Sequence, residues 1–388
     1  MMKKSQLTQL DTVLRNAKRV PNVAFGGVYL VLIGDFLQLP PVGAGPLYRD
    51  PVKKSKRTAN DIAGYQLWSG FQGVIVLDES VRFRLDAELG RGCHEARRGI
   101  WTPEFVSIIN SRAISRDGSL ADWLLDKQAT KYVTPDNSTR LAINNLFIST
   151  AAKALPSDEY PVRIVANFKG KMAALSTAEV KMVVSLPDSK FGRIPPYLDL
   201  IIGMPVQVTQ NIIPQKMVAN GTLGVLEAII YQPGTTFRLV HDSAADMVVK
   251  IPSVPPPAVL VRIQRGDMAT QMQGSDDADL FPLFFDSQAY GQCRIGLMGY
   301  SKGLPRELAV RIQQFPLVCA VSSTVYKIQG ETLDRMVVTE WRSTNVISNK
   351  RQQPYLLVSK VTSRSAFVTL TPISPEIIKW AHPPADAL

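Results

Sequence analysis

Cysteine and histidine are both scarce in this chain. Its 388 residues include three cysteines (Cys93, Cys293, Cys319) and three histidines (His94, His241, His382). Cysteines that are few, odd in number and far apart build neither a disulfide framework nor a zinc knuckle, and they fit a reducing compartment. A histidine-built metal site has too few ligands to draw on. Long hydrophobic runs are missing as well. The longest, residues 28–33, ends at Gly34-Asp35, far short of the roughly 18 apolar residues of a membrane helix. The first residues, Met1-Met2-Lys3-Lys4-Ser5-Gln6, carry charge with no apolar stretch behind it, so no secretory signal is read there. Negative charge is short too, with 33 Asp and Glu against 44 Lys and Arg, a formal net charge of +11.

What is present is an ordinary globular composition. Hydrophobic residues make up 45% and charged residues 20%, which excludes wholesale disorder. The length implies two or three domains at about 150 residues each. Much of the basic excess lies near the start: residues 1–60 hold ten Lys and Arg against three Asp and Glu. Such a balance suits a polyanionic partner, nucleic acid above all, and equally suits plain solubility.

Along the chain, Leu7, Leu10, Val13 and Leu14 recur at helical spacing, predicting a short amphipathic helix that ends near Val20-Pro21. Residues 28–33 (Val-Tyr-Leu-Val-Leu-Ile) read as a strand buried on both faces, the signature of a parallel sheet. Residues 74–77 (Val-Ile-Val-Leu) read as a second one. Lys53-Lys54-Ser55-Lys56-Arg57 reads as an exposed basic loop, and Leu85, Leu89, Cys93 and Ala96 as a helix face stopping at Gly99. Beyond residue 162 short β-rich runs dominate, at 162–165, 180–186, 204–209, 223–230, 237–241 and 247–251, separated by turn residues. They predict antiparallel pairing and a small barrel. The four prolines of residues 252–257 specify a stiff extended segment, and residues 267–279 are polar. Strand patterns return at 336–339, 355–358 and 367–370. The layout is α/β with a β-rich insertion.

The strongest local signal is Gly34-Asp35-Phe36-Leu37-Gln38-Leu39-Pro40-Pro41-Val42. A predicted strand delivers a carboxylate and then an amide, and the two prolines prevent a helix from following. α/β proteins place ligand-facing groups at such strand ends, although an ordinary strand-to-turn exit has the same pattern. Gln38 could orient a water or a phosphate through its amide.

The whole string resembles motif III of the Pif1-like, RecD-related superfamily 1 DNA helicases, and the resemblance continues in order. Phe25-Gly26-Gly27 precede it, and Leu67-Trp68, Phe71, Leu77 and Arg82 resemble the approach to motif IV. Asn137, Arg140 and Asn144 follow an Asn-x-x-Arg-x-x-x-Asn pattern. Leu200, Gly203, Pro205-Val206, Asn211, Asn220-Gly221-Thr222 and Gly224 are similar to the family's β-rich segment. Phe315-Pro316-Leu317, Ala320, Thr324, Lys327 and Gln329-Gly330-Glu331-Thr332-Leu333 resemble motif V, and residues 355–361 resemble motif VI.

The resemblance implies RecA-like motor lobes, a partial first lobe in residues 1–130 and a complete second lobe in residues 131–388, with a β-rich small-barrel insertion at about 226–313. It implies ATP and magnesium as cofactors of the complete protein and single-stranded DNA as partner, with 5′-to-3′ stepping, in nucleus or mitochondrion. Gln38 would sense the γ-phosphate, Asp35 would support the nucleotide cleft, and Arg82 would reach the γ-phosphate, with Gly330, Glu331 and Lys360 lining the same site. Arginine suits that role because its fork stabilises charge on phosphoryl oxygens. A surface ion pair is the plainer reading of an arginine here, and Arg84, Arg97 and Arg98 fit that better. Ser323, Thr324, Tyr326 and Lys327 would meet DNA at the start of a helix, unless the hydroxyls merely cap it. Asn211 and Asn220 could touch DNA or simply form a turn.

Two departures stand out. Ser359-Lys360 occupies the place where the family has Ser-Arg, keeping the charge and losing the bidentate fork. No Gly-x-x-x-x-Gly-Lys-Ser/Thr phosphate loop occurs. Lys169-Gly170-Lys171-Met172 is the nearest echo. Asp78 and Glu79 imitate a magnesium-binding pair but follow motif III instead of preceding it, so they read as structural. Against the family's order of motifs, Met1 falls in the middle of the motor. Two other readings stay open: a non-catalytic nucleic-acid-binding remnant, and the helicase part of a rolling-circle transposon.

Overall fold

Helix α1 (Lys4–Lys18) forms where the apolar spacing predicts it and ends at Arg19, whose left-handed backbone (φ 57°) returns its N–H to the carbonyls of Arg15 and Asn16. Helix α2 (Ala59–Ser69) starts at a capping box, with the Thr58 hydroxyl accepting from the Asp61 N–H and the Asp61 carboxylate accepting in return. The two helices enclose Leu7, Phe25 and Leu47, against which Leu14, Leu67, Trp68 and Phe71 pack. Helix α3 (Ala87–Ala96), capped by Asp86, buries Leu89, Cys93 and Ala96. Leu85 lies before its first turn and is exposed. Helix α4 (Pro103–Asn110) follows, capped by Thr102 and opened by a proline that needs no N–H partner there.

The structure, a computed structural model, describes residues 2–41, 43–51, 58–114, 130–169, 175–192, 194–263, 277–285, 290–301, 303–343 and 350–387. The basic cluster at 53–57 and most of the polar stretch at 267–279 lie outside them. The chain divides into two compact units, Met1–Asp136 with Thr324–Leu388, and Asn137–Ser323.

In the first unit, Lys131–Thr134 runs parallel to Met336–Val338, which runs parallel to Phe367–Thr369. Val133, Met336, Val338 and Phe367 share one core with Leu89 and Cys93 of α3, Phe105 and Ile109 of α4, and Leu356 to Val358. Helices laid on a parallel sheet are the layering of an α/β protein. The second unit is richer in strands. One sheet orders Leu280–Phe284, Ala258–Arg262, Leu223–Ile230, Pro205–Val208 and Leu317–Cys319, antiparallel throughout. A second pairs Tyr290–Ser301, Leu304–Gln313 and Asn167–Lys169. A third holds Tyr197–Leu200, Val162–Val165, Met247–Pro252 and Phe237–Asp242.

Four predicted strands differ. Residues 28–33 and 74–77 form no strand among the described residues, with Tyr29, Val31, Ile33 and Val74 to Leu77 facing solvent. A strand needs neighbours to be one, and here none lies alongside. Of residues 180–186, the first five belong to a helix, Thr177–Val184, set by a Ser176–Glu179 capping box, and the last two follow its end. Residues 355–358 are also helical, in Gln353–Val358, whose first turn holds Pro354.

Candidate functional site

Asp35 sits at the head of a tight turn. Its carboxylate accepts from the Leu37 N–H (3.0 Å) and from Gln38 Nε2 (3.2 Å). Arg97, at the end of α3, donates to both of its oxygens, with Nη2 at 2.8 Å and Nε at 3.1 Å. Asp35 is therefore an orienting group whose charge is matched, and it holds the Gln38 amide in place. The turn is anchored from below by buried Leu37 and Leu39, and Gln329 Nε2 donates to the Leu39 carbonyl (3.2 Å). The motif III turn and the motif V turn are thus tied together.

Arg82 reaches the same place from the turn before α3. Its Nη1 donates to the Ser359 carbonyl (2.6 Å), its Nη2 to the Glu331 carbonyl (3.4 Å) and its Nε to the Thr332 hydroxyl (3.2 Å). All three acceptors are neutral. Among the described residues no carboxylate pairs with Arg82, so a full positive charge is held in position by dipoles. Arg364 contrasts with it: Asp86 takes two of its donors and Glu88 another, and Asp86 is pulled down to about 2 by that guanidinium.

Lys360 is 1% exposed. Burial and the nearby Arg82 charge lower its pKa to about 8, while Asp35 and Glu331 hold it up. The Glu331 carboxyl is itself pushed up by burial and restrained by Lys131, Lys327 and Lys360. Gly330, before it, adopts φ 93° in an exposed turn, a backbone that side chains disfavour. Burial also raises the Tyr355 phenol, which lies near Asp35 and Arg97. The structure therefore brings Asp35, Gln38, Arg82, Gly330, Glu331 and Lys360 into one unit, with their charges interacting.

The predicted DNA set is distributed differently. Ser323 and Thr324 are buried at the end of the strand Ser322–Thr324, and turns, not a helix, follow them. The helix start expected there is absent because the chain is committed to a sheet at that point. Tyr326 and Lys327 are half-buried on the turns. Asn211 lies in the other unit, where its amide oxygen accepts from the Asn220 N–H (3.0 Å) and closes a loop.

The site gathers basic side chains, and the described residues form no metal cage. Among the described residues no group of three His, Cys, Asp or Glu side chains is placed to hold an ion, and Asp78 and Glu79 are exposed. Among the described residues, therefore, no set of side chains fits magnesium. Lys131 and Arg97 were not singled out for the site from sequence. Arg97 carried one signal, a basic residue closing a helix that packs under motif VI.

No helix among the described residues is long and apolar enough to cross a membrane. Residues 1–97 match the model of the PIF1-like helicase family. The ATP-dependent DNA helicase PIF1 of Danio rerio is 26% identical over 229 residues, 58% of this chain and 30% of that protein. This chain thus spans under a third of the length of that curated relative. The crystal structure of Pif1 helicase from Candida albicans aligns over 100% of this chain and 73% of its own, with TM-score 0.55 and 19% identity. Pif1 helicase from Bacteroides, in complex with ADP-AlF3 and ssDNA, aligns over 100% and 71%, with TM-score 0.59 and 17% identity. The fold is that of the RecA-like helicases. Within them, the resemblance is to the Pif1-like helicases, as the motifs indicate.

Proposed function

We propose that this chain belongs to an ATP-dependent 5′-to-3′ DNA helicase of the Pif1 type, acting in DNA repair, recombination or genome maintenance in nucleus or mitochondrion. The observation that carries the reading is Arg82, a guanidinium fixed by neutral acceptors and with no carboxylate partner among the described residues, beside buried Lys360 and the Asp35-held Gln38. A phosphoryl group in transfer gains negative charge on its oxygens, and a positioned arginine favours that state over the ground state. Gln38 would orient the attacking water through its amide, with Asp35 fixing its direction. Lys360 would supply a second positive charge without a fork.

In this reading residues 1–130 come from the first RecA-like lobe, and residues 131–388 are the second with its insertion at about 226–313. Single-stranded DNA is the partner, and Tyr326 and Lys327 are the accessible members of the motif V set. ADP-AlF3 and ssDNA bound to the Bacteroides relative support the same pair of ligands. The test is a titration of labelled oligothymidylate followed by fluorescence anisotropy at two salt concentrations. The basic excess of +11 predicts binding that weakens at least about tenfold between 50 and 200 mM salt, through counterion release. Binding indifferent to salt, or none at low salt, overturns the reading.

A further inference from the structure

The third sheet of the second unit ends on one side at Phe237–Asp242, which among the described residues pairs only with Met247–Pro252. One hydrogen bond fixes which of its backbone groups stay free. The Lys250 N–H donates to the Pro161 carbonyl (2.8 Å), away from the edge strand. Lys250 and Leu239 are therefore a non-hydrogen-bonded pair. Alternation then points the N–H and C=O of Leu239 and His241 outward, whereas those of Arg238, Val240 and Asp242 face Ile251, Val249 and Met247. The Ser253 N–H donating to the Thr236 carbonyl (2.8 Å) fits the same alternation.

The usual blunting of an edge is missing here. The ladder runs from Phe237 opposite Pro252 to Asp242 opposite Met247 without a bulge, and the strand contains neither proline nor lysine. Phe237 and Leu239 are 41% and 56% exposed.

Its charges are arranged to complement themselves. Arg238, Val240 and Asp242 share one face of the strand, and Leu239 and His241 share the other. Asp242 belongs to a cluster in which Arg163 donates to both oxygens of Asp199 (2.7 and 2.8 Å) and to Asp242 (2.7 Å), with its guanidinium 4.3 Å from the centre of the Tyr197 ring. Two carboxylates share one cation. Burial pushes the Asp199 carboxyl up, Arg163 restrains it, and the Asp242 charge adds to the rise. The cluster is one positive charge short. Arg238 is exposed and makes no ion pair among the described residues. It lies four residues from its own Asp242, about 14 Å along the strand and out of reach.

We infer that Phe237–Asp242 pairs antiparallel with the same strand of a second copy of this chain, about a two-fold axis at Val240. Leu239 and the partner's His241 then exchange both backbone hydrogen bonds, four in all across the axis, and Arg238 lies opposite the partner's Asp242 twice. The neighbouring registers that keep the hydrogen-bond alternation, centred on Leu239 or His241, put Asp242 opposite Thr236 or Val240 and lose both charge pairs. One pair of edge strands covers less than the roughly 1,000 Å² of a stable interface, so the dimer is weak, with Kd on the order of 10–100 µM. The inference belongs to the second unit and does not rest on the helicase reading.

Sedimentation velocity of the full 388-residue chain tests it. The mean mass is expected to rise from one chain toward two over about 1–300 µM. Arg238→Glu, which has no ion pair of its own to lose, sets like charges opposite each other and weakens association at least about tenfold, while Arg238→Lys keeps it within about threefold. Leu239→Pro deletes an outward N–H, leaves the inner ladder intact and lowers association as much as Arg238→Glu. Val240→Cys places two sulfurs at a non-hydrogen-bonded pair with Cα atoms about 4.5 Å apart, and mild oxidation links the two chains where the parent stays unlinked. A parent that remains monomeric throughout overturns the inference. So does a dimer that survives both Arg238→Glu and Leu239→Pro, or a Val240→Cys variant that dimerises without forming the link.

Discussion

At the scale of single residues, two cations in one site are handled in opposite ways. Arg82 donates to neutral partners, whereas Lys360 is buried so deeply that its proton is loosened to a pKa of about 8. A lysine whose folded pKa lies below its value of 10.5 in the unfolded chain binds its proton more weakly when folded. Between pH 8 and 10.5 the unfolded state therefore holds more proton, and stability rises with pH across that window. The shift corresponds to about 3 kcal/mol of destabilisation at pH 7. Lys360→Met is therefore expected to be more stable than the parent at pH 7 by up to that amount, with the gap closing as pH passes from 8 toward 10.5. Paired urea melts at pH 7 and pH 10 check this, and a gap that widens with pH contradicts it. The convergence of Asp35, Gln38, Arg82, Glu331 and Lys360 was legible in the sequence through ordered motifs. What was not legible was their local bonding. That Arg97 claims the Asp35 carboxylate, and that Arg82 rests on main-chain carbonyls, depends on contacts across 62 and about 250–280 residues of chain, which no short pattern encodes.

At the scale of elements, local signals succeeded where the element is locally stabilised. The α1 helix and the strands at 162–165, 223–230 and 247–252 follow their spacing and turns. Residues 180–186 misled because Val180, Val183 and Val184 favour strands, although the Ser-x-x-Glu capping box just upstream specified a helix. Residues 355–358 misled because a short segment buried all round has no period to read. Residues 28–33 and 74–77 carry genuine strand signals that only a neighbour could satisfy. One contact between elements is easily tested. A Cβ on Gly92 of α3 would lie 1.8 Å from Phe105 Cδ2 of α4, and that ring is fully buried. Gly92→Ala gains helix propensity of about 1 kcal/mol, but the steric conflict costs about 1–3 kcal/mol. The expected net change is a loss of up to about 2 kcal/mol, read as a lower urea midpoint with an unchanged slope. A stabilised variant would mean that α3 and α4 are not pressed together there.

At the scale of the whole molecule, Arg82 and Lys360 are present, and a Gly-x-x-x-x-Gly-Lys-Ser/Thr loop of the kind that cradles phosphates is not in the sequence. Electrostatic stabilisation of a transition state acts only on a substrate already held in line. The chain by itself is therefore expected to show no DNA-stimulated ATP hydrolysis. Phosphate release should be indistinguishable from that of a Gln38→Ala, Arg82→Ala double variant. A clear excess over that variant would mean that some other surface positions the nucleotide. The two-unit layout was only partly legible. The β-rich character of Asn137–Ser323 follows from composition, while the union of both chain ends in one unit depends on parallel pairing between strands some 200 residues apart.

The dipole cage around Arg82 has a practical side. A cation whose described neighbours are carbonyl and hydroxyl oxygens has no carboxylate partner among the described residues, so an anion from the medium can serve as its counter-ion. Small oxyanions in a buffer are the nearest chemical match to its fork, and they compete for the same few ångströms as any phosphorylated ligand. Phosphate or sulfate in the working solution is thus expected to compete with a phosphorylated ligand for Arg82, and chloride or acetate to compete less well.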